Sequence, residues 1–155
     1  MIPSLPSPDE VFDIAADELD CVRRGPIHPQ AILGLDLFNQ GRYFEAHEAL
    51  ELAWRAERGA VRELYRSILQ IGVGYYHIQR GNINGARKMF QRARGWLAPF
   101  PDTCRGINVA QLRHDAVQVE MDIQSMTPEQ CKAYDARHFK PVEYLYEAYE
   151  DTDER

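Results

Sequence analysis

Residues 34–53 read GLDLFNQGRYFEAHEALELA, and 40 positions later residues 74–93 read GYYHIQRGNINGARKMFQRA. Gly34, Gly41, Ala46, Leu50 and Ala53 recur as Gly74, Gly81, Ala86, Phe90 and Ala93, with the same internal spacings of 7, 5, 4 and 3. A glycine inside a helix lets a neighbouring helix come close. A glycine just after a helix supplies the left-handed residue that ends it. The set Ala, Leu or Phe, Ala then seats the next helix against the first. Each copy therefore predicts an antiparallel helical hairpin. The pattern is similar to the tetratricopeptide arrangement of small and large residues, whose period is about 34, and the longer repeat fits a longer first helix. Two hairpins fall short of the three or so units that a solenoid needs, so flanking helices are expected to close them into one bundle.

Turn and cap residues divide the chain around this repeat. Helices are expected over 29–40, 43–57 and 60–80, then from an Asn82 or Asn84 cap to about 97, and again over 109–124. Thr127-Pro128-Glu129-Gln130 signals another helix start, and Ser7-Pro8-Asp9-Glu10 reads as a capping box opening a helix to about 22. Pro99 and Pro101 break the chain, and no strand alternation of useful length is visible. Tyr144, Tyr146 and Tyr149 are expected to dock on the bundle. The expectation is an all-α fold of about six helices in a single domain over 1–155, with a frayed arm at 1–6, a core at 28–97, and flanking helices with an acidic tail at 98–155.

The chain has 155 residues, 45% of them hydrophobic, and a net charge of −6. No apolar run approaches the roughly 18 residues of a membrane span. The opening MIPSLPSPDE lacks a basic stretch followed by an apolar one, so no secretory signal is expected. The widely spaced Cys21, Cys104 and Cys131 make neither a disulfide framework nor a zinc site, which suggests a reducing, cytoplasmic setting. Cys104 follows two prolines and is expected in an exposed loop. Residues 1–60 carry a charge of −6, residues 61–114 of +7, and residues 115–155 of −7. A basic middle between acidic ends suits an anion, an acidic partner, or neutralisation by the ends themselves. The acidic total speaks against nucleic acid.

The candidate site lies on the repeat. At about 100° per residue, Phe44, His47, Glu48, Glu51, Trp54 and Arg55 share one side of their helix, opposite Ala46, Leu50 and Ala53. In the next helix Arg62, Arg66, Gln70, Val73, His77 and Arg80 form a stripe opposite Leu64, Ile68, Ile71, Tyr75 and Ile78. Antiparallel packing is expected to bring the two polar stripes together in a partly enclosed, aromatic-lined setting. Three readings follow. His47, Glu48, Glu51, Trp54, Arg66, Gln70 and His77 bind a small anionic ligand or a protein segment. Alternatively, His47, Glu51 and His77 hold a divalent metal whose bound water gives up a proton to Glu48, as in a metal-dependent hydrolase. The third reading is a polar network that fixes the register of the helices. A homodimer is compatible with all three.

The run Phe38-Asn39-Gln40-Gly41-Arg42-Tyr43-Phe44-Glu45-Ala46-His47-Glu48-Ala49-Leu50-Glu51-Leu52-Ala53-Trp54-Arg55, continued by Leu69-Gln70-Ile71 and His77 to Gly81-Asn82, resembles the signature of the family catalogued as domain of unknown function 309. The resemblance covers about residues 28–97. It implies an all-α bundle and no assigned activity. Its motif positions fall on Asn39, Gly41, His47, Glu48, Glu51, Trp54, Gln70, His77 and Gly81.

Overall fold

The computed structural model describes residues 25–145. The helix expected from Ser7, the arm at 1–6, Tyr146, Tyr149 and the acidic tail lie outside the described residues. Within them the chain is an all-α bundle of six helices: α1 Pro29–Asn39, α2 Tyr43–Ala56, α3 Val61–Gln79, α4 Ile83–Leu97, α5 Val109–Ile123 and α6 Pro128–Lys132. None of them is long and apolar enough to cross a membrane.

The repeat builds two hairpins, α1–α2 and α3–α4. Gly41 and Gly81 close them with φ of +80° and +76°, the left-handed region where a side chain is strained. The two turns share a further bond. Arg42 donates its backbone N–H to the Leu37 carbonyl (2.9 Å), and Asn82 donates to the His77 carbonyl (2.8 Å). This is the six-to-one bond of a Schellman ending. Caps follow the residues. The His28 Nδ1 accepts from the Gln30 N–H before Pro29, Asn82 Oδ1 accepts from the Gly85 N–H, and Thr127 and Gln130 make a full capping box. The interior glycines act as notches. A Cβ on Gly34 would lie 2.5 Å from Leu50 Cγ, and one on Gly74 would lie 3.0 Å from the Phe90 ring.

The core runs between the hairpins. Leu64, Ile68, Ile71, Tyr75 and Ile78 of α3 are fully buried. Phe38, Tyr43, Tyr75 and Phe90 meet ring to ring, and Phe139 from beyond α6 stacks on Tyr75 at 4.5 Å. Each such side chain contributes about 2–3 kcal/mol on burial. Burial also pushes the Tyr43 hydroxyl up to about 12. The second hairpin is held to α5 by an Arg94–Glu120 ion pair and an Arg87 bond to the Gln124 carbonyl.

Two details depart from the sequence reading. Residues 103–104 and 107–108 form a two-residue antiparallel ribbon, β1 Thr103–Cys104 with β2 Ile107–Asn108, turning through Arg105 and Gly106 at positive φ. A ladder that short shows no alternation in sequence. It also places Cys104 opposite Ile107 and buries it completely, so the exposed loop thiol expected there is corrected to a core residue. The segment after Phe139 crosses α1 as a strap. Asn39 accepts from the Val142 N–H (2.8 Å) and donates to its carbonyl (3.0 Å), Tyr144 bonds Asp36, and Ile107 bridges Tyr144. The expected docking of Tyr144 is thereby met.

Candidate functional site

The first half of α3 is buried on nearly every side, and that burial includes charge. Glu63, Arg66 and Ser67 are 2%, 5% and 0% exposed. Ionised side chains are rarely buried unless they are paired. Arg66 Nη1 donates to Glu63 Oε1 at 3.2 Å, and the Ser67 hydroxyl donates to the Glu63 carbonyl at 2.7 Å. The Arg66 guanidinium lies 3.6 Å from the centre of the Trp96 ring and 5.2 Å from that of Trp54, while Arg62 lies 5.7 Å from Trp54. A desolvated cation over an indole is stabilised by about 2 kcal/mol.

Topology gathers these side chains. Trp54 stands in the last turn of α2, five residues before Gly59, where Gly59 and Ala60 lead the chain into α3. Arg62 and Arg66 stand in the first two turns of α3. Trp96 stands at the end of α4, which runs antiparallel to α3 and so finishes beside its start. Three helix ends thus bring two indoles and two guanidinium groups together.

Several buried polar atoms here have no hydrogen-bond partner among the described residues: Trp54 Nε1, Trp96 Nε1, Arg62 Nε and Nη2, and, further along α3, Gln70 Oε1. Four of the five are N–H donors. Leaving a buried donor without an acceptor costs about 1–3 kcal/mol each. An acceptor-rich group is the chemistry that would relieve it, and bidentate guanidinium binding of carboxylate or phosphate is the strong form of that contact.

Of the residues singled out from the sequence, Trp54 and Arg66 enter the cluster, and Gln70 stands about one turn further along α3 from Arg66. The others do not enter it. Glu48 is exposed on α2. Glu51 is half-exposed and pairs with Arg55 at 3.2 Å, four residues on. His47 is half-buried. His77 turns toward its own hairpin partner, with Nδ1 3.4 Å from Asn82 Nδ2 and its ring against the position where a Gly85 Cβ would stand. Partial burial lowers the His77 pKa. Among the described residues no three His, Cys, Asp or Glu side chains come together as a metal-holding group. His47, Glu51 and His77 therefore form no such group among the described residues. The physical reason is lateral cover. Phe44, on the same stripe, is 58% exposed, with its ring centre 6.4 Å from that of Tyr76. The shared side of α2 is enclosed at Trp54 and open toward its N-terminus. Glu63, Ser67 and Trp96 were missed by sequence reasoning. Glu63 is one of two acids among the nine basic residues of 61–114, a signal that could have marked it as their buried partner.

Comparison with known proteins agrees with the motif. Residues 32–89 match the model of the family described as Domain of unknown function (DUF309). A protein of Aquifex aeolicus (strain VF5), described as an uncharacterized protein, is 27% identical over 77 residues; the match takes in 49% of this chain and 23% of that protein. The chain thus spans about a quarter of the length of the curated relative it matches. The stretch 32–89 that is similar to this family holds both hairpin turns and Trp54, Arg62, Arg66 and Gln70.

Proposed function

We propose that this protein is a binding module for an anionic group, a carboxylate or phosphate, received by the arginine–tryptophan cluster at the start of α3. The observation that carries the reading is the set of buried, unpartnered donors on Trp54, Arg62 and Trp96. Four N–H-bearing atoms, two of them on the Arg62 guanidinium, favour oxygen acceptors with negative charge. The basic balance of residues 61–114 points the same way. A reducing, cytoplasmic setting fits the wide spacing of the cysteines in the sequence. The test is thermal melting of the full chain with succinate or inorganic phosphate, against sodium chloride at equal ionic strength. The expected result is a rise in Tm beyond the chloride control, lost in Arg62→Gln. No rise for either anion overturns the proposal.

A further inference from the structure

Arg62 keeps one whole edge of its guanidinium in reserve. Its Nε and Nη2 are both buried and have no hydrogen-bond partner among the described residues. In a planar guanidinium these two atoms share an edge and point the same way, a fork that matches two oxygens lying in one plane. The indole Nε1 atoms of Trp54 and Trp96 bring the buried donor atoms of the cluster to four. The surround is apolar, since the two tryptophans are 6% and 3% exposed. Charge narrows the ligand further. Arg66 is paired with Glu63 at 3.2 Å, and both are buried. Among the described residues, that pairing leaves the Arg62 cation as the cluster's uncompensated charge.

Donor number and charge separate two anions that the reading above leaves together. An ionised carboxylate has two oxygens with about four lone-pair sites, as many as there are buried donor atoms here. It carries a single charge, and its plane fits the Arg62 fork. A phosphate group on an ester carries close to two charges at neutral pH and has three strongly accepting oxygens. In this cluster it would leave acceptor sites unmatched in an apolar surround and its second charge unanswered, and both are costly when buried. We propose that the arginine–tryptophan cluster is a carboxylate site, in which Arg62 is the specificity-determining residue and holds both oxygens through Nε and Nη2 while the two indole N–H groups donate to the remaining lone pairs. This rests on the anion reading above and narrows it to the carboxylate.

The experiment compares butyrate with propyl phosphate, which share a propyl tail and differ in the acid. Both are titrated calorimetrically into the full chain at about pH 8, where the phosphate ester is a dianion. Butyrate is expected to bind at least about 10-fold more tightly than propyl phosphate. Arg62→Lys keeps the charge and loses the fork, and is expected to weaken butyrate at least about 10-fold and to remove the preference. Far-ultraviolet circular dichroism confirms the fold of the variant. Equal or tighter binding of propyl phosphate overturns the carboxylate assignment and leaves the anion site standing; no binding of either probe overturns both. Butyrate binding unchanged in Arg62→Lys also overturns the proposal. A measurement on the unaltered chain guards against a variant that fails to fold. In the isotope-labelled wild type the Arg62 Nε–H signal is expected to shift saturably with butyrate, and a fixed signal contradicts the proposal. Acetyl-glutamyl-amide, titrated alongside, presents the same acid as a protein side chain does. Binding of it more tightly than butyrate supports the proposal with a protein segment as the source of the carboxylate, and the reverse order supports it with a small free acid.

Discussion

The two hairpins are built from one pattern and do different things. α1–α2 and α3–α4 share the notch glycine, the left-handed turn and the small-large-small seat, at a constant offset of 40 residues. The site residues sit where the copies diverge. Counterparts of Arg66 and Trp96 at that offset are Pro26 and Ala56, and the counterpart of Trp54 is Arg94. The repeat thus supplies the scaffold, and departures from it supply the arginine–tryptophan cluster. The second hairpin is also the more enclosed. A Cβ on Gly41 would meet nothing, whereas one on Gly81 would lie 3.1 Å from the Pro128 carbonyl and 2.9 Å from Lys132 Cε. α6 covers one turn and leaves the other open.

The comparison can be broken at its knobs. Phe90→Ala and Leu50→Ala empty equivalent seats, and both positions are 1% exposed. Losses of about 4 and about 3 kcal/mol are expected from denaturant unfolding, the larger for the ring. A reversal would mean that the first hairpin carries the core. The turns sharpen it further. Gly41→Ala is expected to cost about 1 kcal/mol from the strained φ alone. Gly81→Ala should cost about 2 kcal/mol, because the added methyl also presses on a backbone carbonyl that cannot swing away. Equal losses would argue against the covering role of α6.

The smallest effect is a titration. His77 has its pKa lowered by burial from 6.5, so the unfolded chain binds its proton more readily than the folded one. Stability therefore rises with pH across the window just below 6.5, and is lost as pH falls from neutrality into it. The wild type should lose more stability than His77→Gln between pH 7 and the mildly acidic range, measured as the difference between their unfolding midpoints. Parallel curves would place the imidazole in solvent.

Much of this fold was legible in the residues. Gly41 and Gly81 marked both turns because only a left-handed residue closes such a hairpin, and Pro29, Asn82 and Thr127 marked helix starts through their caps. The site was legible in part. Arg66 and Gln70 fell on the polar stripe of α3, and Trp54 was too large and apolar to read as solvated. His47, Glu48 and Glu51 shared its azimuth on α2, but a helical wheel gives direction and says nothing of what lies across from it. Trp96 was invisible because it reaches Arg66 only through the antiparallel register of another helix. Cys104 was misplaced because a two-residue ribbon leaves no periodic trace.

The central claim is that the buried donors of Trp54, Arg62 and Trp96 act together on an anionic group. The chain has two tryptophans, and both are in the cluster, so its indole N–H resonances report the site alone. Titrating succinate into the isotope-labelled full chain should move both indole signals together and saturably, with no movement in Arg62→Gln. Indole signals that stay fixed, or that shift equally in Arg62→Gln, would contradict the account.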